Sequence, residues 1–219
     1  MSTLPPNSHT LVISYLFLRQ AIGYLGIALP FVLAVGGMLI EDEPALQRSI
    51  SSYYYTGMRD VFVGTLCAVG VFMLSYRGHD RKDNIAGNLA CLFAVGVALF
   101  PIAPPKDSLD WQRLIEILHL TCAGAFFLTM AYFSLILFTK TDSTKPPTRR
   151  KLQRNAIYKV CGYTILLALS LIAIVAMLPD SLMNSLDTLQ PVFWLQSFAV
   201  WAFGLSWLTK GEAILADEV

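Results

Sequence analysis

Residues 21–40 form a run of twenty residues without a charged side chain. At ~1.5 Å of rise per residue such a helix spans ~30 Å, the thickness of a bilayer's hydrocarbon core. A chain made of such runs must satisfy its backbone hydrogen bonds within each segment, which in lipid means helices. Further apolar runs occupy 57–76, 85–101, 114–138, 157–178 and 191–208, each bounded by polar connections. The chain has 55% hydrophobic and only 14% charged residues, whereas about a quarter are charged in an ordinary soluble domain. The expectation is an all-α, polytopic integral membrane protein: a bundle of six transmembrane helices over 21–208, preceded by a tail and interfacial segment (1–20) and followed by a cytoplasmic tail (209–219).

Residues 10–18 are also apolar, but Arg19 and Gln20 interrupt them before the first span. Residues 10–40 together are too long for one upright helix. The first part is therefore expected to lie on the membrane, or to extend the first span as a tilted helix with Arg19 at the headgroups. No basic residue precedes this apolar run and no A-x-A site closes it, which argues against a cleaved signal peptide.

Net charge is +1, yet the basic residues are segregated. Arg19, Arg77, Arg81, Lys82, Lys140, Lys145, Arg149, Arg150, Lys151, Arg154, Lys159 and Lys210, twelve of the sixteen, fall on one side if six spans alternate. The positive-inside rule then puts both termini in the cytoplasm, and a bacterial inner membrane is the expected location. Arg48, Arg59, Lys106 and Arg113 are the outer exceptions. The charge balance gives no broad footprint for nucleic acid. Cys67, Cys91, Cys122 and Cys161 all sit in apolar runs without CxxC spacing and read as small buried hydrophobes. Of the three histidines only His119 lies in a span, while His9 is in the tail and His79 in a turn, so neither a metal nor another cofactor is implied.

The residues that stand out are the polar ones where lipid is expected. An ionisable side chain at mid-membrane costs ~2.5 kcal/mol or more unless it is paired or wetted. Glu116 and His119 are three residues apart on the fourth span and so share a helix face. The proposed topology brings Ser51, Tyr54, Thr56, Arg59 and Asp60 of the first outer loop and second span to the same outer depth. Arg113, Glu116, His119 and Gln196 lie there too. These nine residues are the candidate ligand-binding set, with His119, Glu116 and Asp60 the candidates for chemistry. Plain structural roles compete. Glu116 can snorkel outward to Arg113 or Arg59, His119 can bond a backbone carbonyl, and Tyr53, Tyr54, Tyr55 and Trp111 can form an interfacial aromatic belt. The basic stretch 145–154 can set topology and touch anionic lipid heads.

The serine-rich first outer loop (Ser49, Ser51, Ser52, Thr56, Gly57), the apolar run ending Phe100-Pro101, and the segment from Leu118 and His119 through Phe126 and Phe127 resemble the six-helix DRAM-type membrane proteins. That group includes autophagy modulators, a factor in GPI-anchor lipid remodelling and uncharacterised bacterial relatives, to which this chain is most similar. The resemblance spans roughly 49–138 and implies a recurring histidine at the start of helix four, matched by His119, with loop residues matched by Ser51, Thr56 and Gly57. The three tyrosines and the Arg59-Asp60 pair have no counterpart in that pattern.

Three functions are compatible with these features. One is a non-enzymatic membrane protein whose outer polar pocket binds a lipid headgroup or small ligand. The second is a lipid-modifying enzyme with His119 as general base, oriented by Glu116 or Asp60. The third is a small proton-coupled transporter relaying through Glu116 and His119. The first leads, because no inverted repeat or pair of broken helices points to a carrier and no G-x-S-x-G motif points to a hydrolase.

Overall fold

The computed structural model describes residues 7–42, 45–78, 80–103, 109–141 and 146–216. Among them the regular structure is entirely helical. The helices are α1 (Asn7–Ile40), α2 (Arg59–Ser75), α3 (Arg81–Leu99), α4 (Asp110–Tyr132), α5 (Arg149–Ala176), α6 (Asp180–Leu186) and α7 (Pro191–Lys210). A short 3-10 helix, Ile50–Tyr55, lies between α1 and α2, and a π-helical turn, Phe133–Leu137, prolongs α4. Five helices are long and apolar enough to cross a membrane: Tyr15–Ile40, Arg81–Leu99, Asp110–Leu137, Arg149–Ala176 and Pro191–Lys210. The sixth expected span corresponds to α2, whose seventeen residues make it shorter than the other five.

The six long helices form a ring, α1 to α2, α3, α4, α5, α7 and back to α1, with α4 also touching α7 across it. Between α1 and α7 the backbones meet directly. A Cβ built on Gly204 would lie 2.7 Å from the Gly23 carbonyl oxygen, and one on Gly23 would lie 2.9 Å from that of Gly204. Small residues at such a crossing give close van der Waals packing, which in lipid replaces the hydrophobic drive.

Several boundaries differ from expectation for identifiable reasons. α1 runs unbroken from Asn7, so residues 10–18 extend the first helix, the second of the two arrangements expected for them. The interrupting pair has partners inside the fold. Arg19 donates to the Lys210 carbonyl at 3.3 Å with its guanidinium 4.3 Å from the Tyr15 ring centre, and Gln20 donates to the Gly211 carbonyl at 2.7 Å. α5 starts at Arg149, inside the stretch expected to be a basic loop, because Thr148 caps it by accepting from the Lys151 N–H at 3.1 Å. Its twenty-eight residues exceed a hydrocarbon core, so its basic first turns can project beyond the lipid. Helix α6 falls in the connection between the fifth and sixth apolar runs.

One end of the ring is filled by rings of another kind. Trp207, 1% exposed, packs against Tyr76 (centroids 5.1 Å apart), Phe138 (5.1 Å), Phe133 (5.5 Å) and Phe203 (6.3 Å). The π-helical turn widens α4 here, and next to Phe133 it carries Ser134, whose hydroxyl bonds that of Ser206 on α7 at 2.8 Å with both residues buried. Such turns are rare.

A candidate site beneath a short cover helix

At the opposite end the Ile50–Tyr55 helix lies across the ring as a cover. Ser49 starts it by accepting from the Ser52 N–H at 3.0 Å, and Thr56 ends it by donating to the Tyr53 carbonyl at 2.9 Å and accepting from the Met58 N–H at 3.1 Å. Three hydrogen bonds then hold the cover to α7, to α4 and to the segment that follows α3. The Ile50 N–H donates to Gln196 Oε1 on α7 at 2.7 Å, Ser51 Oγ lies 2.9 Å from His119 Nε2 on α4, and the Tyr55 hydroxyl donates to the Ile102 carbonyl at 2.5 Å.

His119 is 1% exposed and has both ring nitrogens engaged. Nδ1 sits 2.5 Å from the carbonyl oxygen of Phe100. A carbonyl can only accept, so Nδ1 carries a hydrogen and donates. A neutral ring then leaves Nε2 as the acceptor, and the Ser51 hydroxyl donates to it. Phe100 caps the C-terminus of α3 and is followed by Pro101, which has no N–H. Carbonyls of a last helical turn lack intrahelical partners, and His119 supplies one of them.

Below Ser51 is a narrow apolar cavity of about 50 Å³, lined by Leu29, Ile50, Ser51, Phe62, Leu66, Val97, Ala123, Phe126, Phe127, Gln196 and Val200. The cover, with its bonds to His119 and Gln196, thus roofs a greasy space inside the ring.

The structure sorts the nine candidate residues into groups. Ser51, His119 and Gln196 come together at this roof. Tyr54 and Arg59 form a separate exposed pair, with Arg59 donating to the Tyr54 hydroxyl at 2.9 Å and its guanidinium 4.5 Å from the ring centre. Thr56 serves the local turn. Asp60 and Arg113 are exposed on the first turns of α2 and α4. Glu116 is half-buried near Tyr55, whose phenol is raised above its usual range by desolvation first, then by Tyr54 and Glu116, with Arg59 opposing. The expected orientation of His119 by Glu116 or Asp60 is replaced by the Phe100 carbonyl. Glu116 and His119 share a face of α4, but three residues of rise put the carboxylate nearer the polar end, and the ring finds its partners across the bundle instead.

Residues that side-chain chemistry did not single out are Phe100 and Ile50, which act through backbone groups, and Ile102, the acceptor for Tyr55. The Phe100-Pro101 helix end was the available signal for the first of these. Among the described residues no three His, Cys, Asp or Glu side chains gather in a way that could hold a metal ion.

The fold and the site define a helical protein with five membrane-capable helices and a polar roof at one end. Searches of family models, of curated proteins and of solved structures give no match to the chain.

Proposed function

We propose that this is a six-span integral membrane protein, with α2 as the sixth crossing and both termini cytoplasmic, that binds a lipid headgroup or small ligand at the roof formed by Ser51, His119 and Gln196. The observation that carries it is the Ser51–His119–Phe100 chain. It is a buried histidine with both ring nitrogens bonded, Nδ1 to a helix-end carbonyl and Nε2 to a short cover helix at the edge of an apolar cavity. A ligand with a hydroxyl or amide donor can exchange with Ser51 at Nε2 without leaving a buried group unpaired, and its apolar part can enter the cavity as the cover lifts. The likeness to DRAM-type proteins and a bacterial inner-membrane location belong to the same proposal. The shared His119 and the segregated basic residues support them.

Binding is tested by measuring retention of total membrane lipid extract by the purified chain. His119→Gln should reduce it severalfold while the far-UV circular dichroism stays unchanged, and equal retention would remove the site. Topology is tested with Asp42→Cys, Arg81→Cys, Thr141→Cys and Ser185→Cys, each introduced singly into a chain lacking the native cysteines. An impermeant thiol reagent on intact cells should label positions 42 and 185 only. Positions 42 and 81 labelling alike would mean that α2 does not cross.

One observation favours a second function. Ser51 Oγ donating to Nε2, with Nδ1 fixed by a carbonyl, is the nucleophile, base and orienter arrangement of acyl-transfer enzymes. In that case a fluorophosphonate probe should modify Ser51 in the native chain and not in His119→Gln. The transporter alternative gains no such support, since Glu116 and His119 do not bond each other.

A further inference from the structure

A second, wider cavity lies on the outer surface of the ring between α3 and α4. It is a groove of about 480 Å³ near the Trp207 end. Its floor is Ala86, 4% exposed, and its walls are the half-exposed Ile85 and Leu89 of α3 and Leu128 and Tyr132 of α4. The groove exists because a methyl group occupies the position between two rows of larger side chains. Along α3 the lining runs from Lys82 to Leu89, seven residues or ~10 Å from the polar edge into the lipid-facing surface.

Lys82 is the one cation of the lining and stands at its polar mouth, exposed and next to the exposed Arg81. The neighbouring carboxylates are committed elsewhere. Lys140 Nζ lies 3.0 Å from Asp80 Oδ2 and 3.3 Å from Asp83 Oδ1, and Asp83 Oδ2 also accepts from the Asp80 N–H at 3.1 Å. Among the described residues the Lys82 ammonium takes part in no hydrogen bond or salt bridge, although it contributes to the field at Asp80. The groove is thus apolar along its depth and positive at the membrane boundary.

From this we infer that the α3–α4 groove is a binding site for one anionic glycerophospholipid, its acyl chain on Ala86 between the Leu89 and Leu128 walls and its phosphate against Lys82. A basic residue near the interface favours an anionic over a neutral headgroup by ~1 kcal/mol, about five-fold. An acyl chain laid in a concave surface excludes more lipid-exposed area than one on a convex helix, so the chain fixes the site and the charge selects the headgroup.

The test is native mass spectrometry of the purified chain in non-ionic detergent with added phosphatidylglycerol, phosphatidylcholine of the same chains, or inorganic phosphate. Phosphatidylglycerol should be retained about five-fold over phosphatidylcholine. Lys82→Gln should abolish that preference, and Leu89→Trp, which fills the groove from its lipid-facing wall, should reduce retention of both lipids severalfold. Arg149→Gln, a charge change at the same end but outside the groove, should leave the preference intact. Equal retention of the two lipids, a preference that survives Lys82→Gln, lipid retention unaffected by Leu89→Trp, or displacement of phosphatidylglycerol by inorganic phosphate would each overturn the inference.

Discussion

At the end of the ring where α1 stops, the bundle is closed by a short cover held through three directional hydrogen bonds. At the other end it is closed by Trp207 and the rings around it. The two closures fail differently. Aromatic packing spreads its energy over many contacts, so losing one ring leaves a void whose cost depends on how far its neighbours relax. The cover's energy sits in a few directional donors and acceptors, and losing a partner strands the other where that group is buried, as at Ser51. The aromatic end is therefore suited to permanent rigidity, and the Ser51 end to being opened by something that can make the same bonds.

The comparison can be broken most forcefully with Trp207→Ala, which should cost about 3 to 5 kcal/mol. A large fall in the melting temperature in detergent is expected. If the fall were no greater than for changes at the cover, the aromatic end would not be the stability centre.

Next in size is His119→Leu, which strands the buried Ser51 hydroxyl and leaves the part-exposed Phe100 carbonyl without its donor, at about 1 to 3 kcal/mol in all. His119→Gln should cost less because it keeps a donor and an acceptor. Hydrogen exchange should show the loss confined to residues 50–55 and the end of α3. Exchange rising equally around Trp207 would mean that the two ends are one cooperative unit.

Tyr55→Phe removes one exposed anchor, the bond to the Ile102 carbonyl, and should cost about 0.5 to 1.5 kcal/mol. Its use is to sharpen the contrast: it should loosen the cover without reducing ligand retention, whereas Ser51→Ala should change both.

The smallest effect is expected from the charged corner at the aromatic end. The hydrogen bond from Lys140 holds the Asp80 carboxyl below its usual pKa of 3.8. Burial alone would lower the Lys140 pKa, and its bonds to Asp80 and Asp83 more than offset this. A carboxyl depressed in the folded state contributes fully above its unfolded pKa, and that contribution is lost as pH falls through the folded value. The native chain should therefore lose slightly more stability than Asp80→Asn between neutral pH and pH 3. Because Asp80 is exposed, the difference should be visible only at low salt. Identical acid profiles would remove the ion pair from the account of this end.

The sequence by itself determined the helical, membrane-type class and the approximate extent of the five helices long and apolar enough to cross a membrane. These depend on run length, hydropathy and charge, which are local properties of a chain whose solvent is lipid. It also marked His119 as a polar group needing a partner. What it left undecided is which partner. Ser51 is sixty-eight residues away and the Phe100 acceptor is a backbone oxygen common to every residue type. Likewise nothing local distinguishes Arg19 and Gln20 as an interruption from Arg19 and Gln20 as the bonds joining α1 to the end of α7. Whether a carbonyl at a helix end is free, and which side chain stands opposite it, follows from how the helices are ordered around the ring and how closely Gly23 and Gly204 let two of them approach. Those are distances between segments far apart in the chain, and only packing sets them.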